Sequence, residues 1–520
     1  MAEIQHANAH GQGQVKQKFN TLTLSLFSIV LPSVWSFAAT GLVIGIYAGG
    51  MPVLIWGALL VGIVLSLLVT SFAEFGSAYP SVAGCLVQAT KLGGPEYGRI
   101  CGFMTGGIHA LASLVTPACL ITAHSPFFTA MAMVMHPDWQ PTKWQSFLIY
   151  QAVNIVTIFI CFKGSRFLGL MATAGAFVLF ALFFTCIGVI VGCADPIAPS
   201  EAVWSKVQNF TGWPNGFAFL IGVSSPLSGY GPTHWILNMA EEVKNPRRAI
   251  PIALLAQQVG SIVTLFVFFI AIGYGVGNDW DAIVGSRYPV PMAAIFEYTT
   301  RSKAGTVILL FAMVALGIVS AASYISAALR LIYGFARTGA FPFSGWLSEY
   351  DTKLQIPKNI LWCIFGLNVV LGCLELGSSS AVVTLVGAAV VLFTIGYLPI
   401  FVGYILTGGR YLGNKGWFKL PRSLSLGLAW FNSVSIIMQS ILLCLPPSNP
   451  ITAENMNWAS AVAGALVIFL LGSYWVYGKS TYQPSDDLII CGEEITGEDG
   501  LASTLATEVS DKELKEKAAA

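Results

Sequence analysis

The stretch "SSPLSGYGPTHWILNMAEEVKNPRRAIP", residues 224–251, sets one titratable ring in an apolar setting and then ends in a burst of charge. His234 follows Gly229, Gly231 and Pro232, three helix-weakening residues within four positions. An imidazole changes charge near neutral pH, at an unperturbed pKa of about 6.5, so the chemistry it offers is carriage of a proton. An unwound helix beside it exposes N–H groups at one half-helix end and carbonyls at the other. The positive dipole end can hold an anion such as a carboxylate. Glu241, Glu242, Lys244, Arg247 and Arg248 follow. They can form a charged gate or a solvated loop against anionic lipid headgroups.

The elements that must position these groups are membrane helices. The chain has 520 residues, 55% apolar and 10% charged, with a mean hydropathy of +0.72. A water-soluble chain carries about a quarter of its residues charged. Twelve apolar stretches are long enough to cross about 30 Å of hydrocarbon as helices. They are predicted near 23–47, 52–73, 100–124, 145–162, 167–193, 215–237, 250–274, 305–335, 359–379, 381–407, 424–445 and 458–478. With both termini cytoplasmic, 21 of the 26 Lys and Arg fall on one side, the bias expected of cytoplasmic loops. Residues 1–22 read as a cytoplasmic tail without a signal-peptide core. Residues 479–520 read as an acidic, disordered cytoplasmic tail.

Twelve spans with internal termini fit a five-plus-five inverted repeat, 23–193 and 215–407, with two added helices over 424–478. In transporters so built, the first helix of each half is discontinuous and the solute binds between them. The sixth span has the break already quoted. The first has a softer counterpart, "SVWSFAATGLVIG", residues 33–45. Trp35, Ser36, Phe37, Ala39, Thr40 and Gly41 are therefore candidate substrate contacts. Ser228, Gly229, Tyr230, Gly231 and Thr233 are their partners from the sixth span, and Ser323 and Tyr324, beside Ser320, are candidates from the eighth. The aromatic members, with Trp235, can face an ammonium head by cation–π contact or simply pack.

Span interiors hold almost no acid: Glu74 ends the second span and Glu375 lies at an outer edge. Three histidines remain at membrane depth, His109, His124 and His234. His234 is the first choice for proton coupling and His109 the second; the bland alternative is a neutral ring bonded between helices. Glu241, Glu242, Arg247 and Arg248 are the inner-gate candidates. Asn209 begins a glycosylation sequon in a predicted outer loop. The ten cysteines are scattered, without metal-ligand spacing. No cofactor, metal or nucleic-acid partner is expected.

"AEEVKNPRRAIP" (240–251) closely resembles the segment after the sixth helix of amino acid–polyamine–organocation superfamily permeases. "AGGMPVLIWG" (48–57), "SFAEFGSAYPSVAG" (71–84) and "ALRLIYGFARTGAFPFSGWL" (328–347) look like its fungal amino acid–choline branch, which includes GABA and choline permeases. The resemblance covers about residues 22–478. It implies the five-plus-five fold, secondary transport (usually proton-driven) of an amine-bearing solute, and a plasma-membrane location. Relatives commonly carry an acid four positions before a histidine that lies three before the Glu pair. Here those places hold His234 and Asn238. The lysine sometimes present on the fifth helix is absent from 167–193.

A solute with only a cation wants a buried carboxylate or an aromatic cage, whereas a zwitterion brings its own carboxylate to the broken helices. The expected function is a proton-coupled symporter of an amino acid or GABA-like zwitterion. Choline or a polyamine is the alternative substrate, and a permease-like nutrient sensor the alternative class. An enzyme is not expected, because no nucleophile elbow, metal cluster or phosphate loop is present. The expected partners are the small amine, protons and membrane lipids.

Overall fold

The computed structural model describes residues 19–483 except 82, 165–167, 232, 277–279, 281–282, 284, 378, 413–415 and 453–454; at 164, 168–172 and 379–383 it describes the backbone alone. The protein is an all-α polytopic membrane protein. Among the described residues, 11 helices are long and apolar enough to cross a membrane. The twelfth predicted span, the sixth, falls short of that length because it is broken. An α-helix, Asn215–Tyr230, ends at Gly231, and a 3-10 helix, His234–Glu242, resumes the path. Lipid cannot satisfy free backbone groups, so such a break persists only where protein or a cavity surrounds it.

The first span is broken too, at the leading edge of the 33–45 stretch and again at Gly41. Thr21–Val30 stops at Leu31-Pro32, Val34–Thr40 restarts at Ser33, and a short helix, Leu42–Tyr47, follows Gly41. Ser33 has φ +41°, a left-handed conformation that costs a non-glycine residue about 1 kcal/mol or more. Its own Oγ donates to Val30 O at 2.6 Å, and Ser320 Oγ of the eighth span donates to Leu31 O at 2.9 Å. Both hydroxyls satisfy carbonyls next to the break.

The remaining spans form the frame: the second (Met51–Ala78), third (Gly94–Met135), fourth (Lys143–Gly164), fifth (Leu168–Gly192), seventh (Pro246–Val276), eighth (Lys303–Arg337), ninth (Lys358–Gly372), eleventh (Arg422–Leu443) and twelfth (Ala459–Ser473). The tenth is Ser379–Gly396, interrupted at Tyr397 before Leu398–Leu406. The third helix has 42 residues, about 63 Å at 1.5 Å per residue, well beyond the expected 100–124. It packs on both the eighth and the tenth spans, while the seventh packs on the first and second. Apolar side chains face out as well as in. Phe184, Ile308, Phe311, Ile468 and Phe469 are all exposed, as a lipid solvent allows.

Two polar fastenings hold the end of the bundle that carries 240–251, the basic end. Glu74, buried at the end of the second span, accepts from the Leu420 N–H at 2.9 Å and from Ser425 Oγ at 2.6 Å. Tyr404 and Ser425 share a further hydroxyl–hydroxyl bond of 2.9 Å. The Phe19 N–H donates to Glu242 O at 3.0 Å, and Phe19, itself buried, pairs with Val243 in a single parallel bridge.

The tail predicted from 479 remains ordered for a few residues. Lys479–Thr481 is helical, and Tyr482 is buried against Phe103 and Phe335 with its hydroxyl 3.3 Å from Thr90 Oγ1. The rest of that tail and residues 1–18 lie outside the described residues. At the opposite end, Ala48–Gly49 pairs antiparallel with Gln208–Asn209. The Asn209 amide nitrogen donates to Trp213 O and Asn215 Oδ1, at 2.6 and 3.0 Å.

Candidate functional site

The two broken spans meet closely. Gly229 lies against Ala38, where an added Cβ would come within 3.2 Å of the alanine Cβ. Ser225 Oγ donates to Gly41 O at 3.0 Å, tying one break to the other helix. Gly231 takes φ +60°, and a Cβ there would sit 2.9 Å from the Tyr324 hydroxyl. Glycine is required at that position on both counts.

Beside this crossing lies a cavity of about 70 Å³, room for about five waters or a small solute. Phe37, Ser228, Gly229, Gly231, Thr233 and Tyr324, all expected at the site, line it, together with Pro32 at the first break. Trp35, Ser36, Ala39, Thr40, Gly41, Tyr230 and Ser323 do not line it. Trp35 packs on Phe183 and Phe268, at 5.7 and 5.3 Å between centroids. Two residues apart on a helix is about 200° of rotation, so Trp35 and Phe37 cannot face the same space. Ser36 Oγ points to Met313 Sδ, Thr40 Oγ1 to Phe37 O, Tyr230 Oη to Ala58 O and Ser323 Oγ to Val319 O.

The walls that sequence reasoning missed come from the second, third, tenth and eleventh spans. They include Thr116, Cys119 and Leu120; Phe393, Thr394 and Tyr397; and Gln439. The interruption "TIGYLPI" (394–400), with Gly396 and Pro399, was the available signal for Tyr397. No charged side chain is among the lining residues described. Phe37, Tyr324, Phe393 and Tyr397 give the cavity an aromatic surface, and Trp235 braces Tyr324 edge-on at 4.1 Å.

His234 is fully buried just behind this lining. Its Nδ1 lies 2.8 Å from the Tyr397 hydroxyl. His109 of the third span stacks on it, 4.3 Å between centroids with planes 9° apart. His109 Nε2 is 3.3 Å from Phe393 O; a carbonyl only accepts, so Nε2 carries the hydrogen. His109 Nδ1, His234 Nε2 and Thr233 Oγ1 are buried without a hydrogen-bond partner. His109 also borders a smaller void of about 10 Å³ with Ala83, Cys85, Leu86, Gly106, Leu331 and Phe335. His124 is different: its Nδ1 bonds Leu120 O at 2.9 Å on its own helix, and it packs on Phe127.

The charged cluster finds its partners outside its own segment. Glu242 is held by Arg330 of the eighth span, with Oε1 2.6 Å from Nε and 2.5 Å from Nη2. Arg248 lies over the Trp417 ring at 5.4 Å. The Arg247 carbonyl accepts from Ser77 Oγ at 2.7 Å. Glu241 is only partly buried and has the electrostatic influence of Arg337 and Arg330 nearby.

A cavity at two helix breaks, lined by aromatics and hydroxyls, suits a small solute taken through a membrane. Residues 21–470 match the family model described as amino acid permease. The chain is 26% identical over 490 residues to a choline transporter of Saccharomyces cerevisiae, covering 92% of this chain and 84% of that one. It is 27% identical over 524 residues to an uncharacterized amino-acid permease of Schizosaccharomyces pombe, covering 96% and 91%. The breaks, the cavity between them and a match over most of the chain agree: this is a transporter rather than an enzyme, and the chain belongs to the amino acid permease family.

Proposed function

We propose that the protein is a proton-coupled symporter of a small zwitterionic amine, an amino acid or GABA-like solute. The observation that carries this reading is the cavity between the breaks, which offers hydroxyl groups and no charged side chain among its described lining residues. A carboxylate is held at the helix break beside Gly231 and Thr233, the positive end of the resumed helix. The ammonium sits against Phe37, Tyr324, Phe393 and Tyr397. His234, backed by His109, takes the coupling proton in place of the acid found in relatives. The segment from Glu241 to Arg248 faces the cytoplasm, with both termini, and the Glu242–Arg330 pair closes the inner mouth. The plasma membrane is the proposed location.

The aromatic lining favours a second substrate reading, choline, whose quaternary ammonium needs a cage and no carboxylate partner. Uptake of labelled GABA, neutral amino acids, choline and a polyamine into proteoliposomes carrying an inward proton gradient separates these. Accumulation of a zwitterion, collapsing with a protonophore, is the expected result. Choline uptake alone overturns the zwitterion assignment, and absence of counterflow for every solute would favour a sensor.

A further inference from the structure

We infer that Tyr397 transmits the protonation of His234 to the substrate cavity by reversing its hydrogen bond. This rests on the proton-coupled reading above and adds the group that makes the coupling local. Tyr397 touches both sites: its side chain lines the cavity and its hydroxyl is 2.8 Å from His234 Nδ1. A neutral His234 with its hydrogen on Nε2 accepts at Nδ1, and the phenol proton is then directed at that nitrogen. In this state the neutral imidazole is an acceptor.

Protonation of His234 puts a hydrogen on Nδ1, and that nitrogen can then only donate. The phenol oxygen accepts the new bond and its own proton must turn away. Two acceptors lie in that direction: the Thr233 hydroxyl, buried without a partner, and a carboxylate bound in the cavity. No bond is broken; the phenol proton stays on its oxygen and only its direction changes. The cavity wall therefore presents a hydrogen-bond acceptor when His234 is neutral and a donor when it is charged. A substrate carboxylate and a proton each strengthen the binding of the other, as linkage requires of any coupled pair.

The surroundings limit the site to one proton. His109 lies 4.3 Å away in a parallel stack, so charge on one ring opposes charge on the other. The other titratable groups facing the pair are Tyr397 from the tenth span, Tyr324 from the eighth through Trp235, and Cys85 beside His109 at the smaller void.

The test uses the full chain with 15N-labelled histidine, wild type beside Tyr397→Phe, with His234 assigned by difference from His234→Gln. At neutral pH the wild-type His234 Nδ1 should resonate as a hydrogen-bonded acceptor, and in Tyr397→Phe as a free one. An Nδ1 already protonated at neutral pH, or unchanged by Tyr397→Phe, overturns the inference. In a second arm, proteoliposome uptake is read with labelled GABA and with labelled choline. One linked proton changes the apparent affinity by up to about tenfold per pH unit. Tyr397→Phe should flatten that dependence to within about twofold for the zwitterion. Wild-type affinity independent of pH sinks the proton-coupled reading itself. A pH-dependent wild type, lost in His234→Gln but kept in Tyr397→Phe, sinks only the role of Tyr397.

Discussion

Glu74 and His234 are both buried ionisable side chains, and the molecule treats them oppositely. Both carboxylate oxygens of Glu74 are bonded, one to the Leu420 amide and one to Ser425, fastening the end of the second span to the start of the eleventh. His234 has one bonded nitrogen and one bare one, and its stacked neighbour His109 is left the same way. Leaving a buried polar group unsatisfied costs about 1–3 kcal/mol. A structural joint has its bonds made; the proposed proton carrier keeps a position open.

The comparison is broken most readily at Glu74. Glu74→Ala strands the Leu420 amide and the Ser425 hydroxyl and should cost about 3 kcal/mol or more, seen as a lowered unfolding temperature in detergent. Glu74→Gln, which keeps an acceptor, should recover much of it. A stable Glu74→Ala protein with its proton coupling abolished would make Glu74 the working acid. His234→Gln should do the converse. Its unfolding should move by no more than about 1 kcal/mol, because one bond is altered and nothing is emptied. Uphill uptake stimulated by external acid should be lost, while exchange of substrate for substrate persists. Unchanged pH-driven accumulation would reduce His234 to packing.

Smaller effects sharpen the contrast. Glu242→Gln leaves the Arg330 guanidinium without its carboxylate and should slow transport several-fold, with external apparent affinity nearly unchanged. Glu241→Gln should change either quantity less. A large affinity loss at normal turnover would move these acids to the binding site. Last, Phe37→Ala should raise the apparent KM with little change in stability. Trp35→Ala should do the reverse, since that ring is buried between Phe183 and Phe268. Equal KM effects would mean that the cavity reshapes during transport.

Much of the architecture was legible because lipid imposes it: helices of a set length, punctuated where Gly231 and Pro232 stand, in a chain with few charges. The first break was harder. Ser33 adopts a left-handed conformation that glycine usually marks, so residue type within 33–45 does not show at which position the chain leaves the helix. Trp35 and Phe37 are equally attractive as letters, and only the rotation of the helix decides between them. Tyr397 and Arg330 escaped because their partners, His234 and Glu242, are 163 and 88 residues away in sequence. Such pairings are set by how the tenth and eighth spans dock, which residue type does not encode.

Phe19 carries a practical consequence. Its amide is bonded to Glu242 O and it bridges to Val243, so the leading segment is attached to the element assigned here to opening and closing. Whatever is fused directly ahead of Phe19 is tied to that element. A bulky tag placed there should bias the conformational cycle, and a small fluorophore near it should serve as an optical reporter of turnover. A tag that must stay silent should not be fused there.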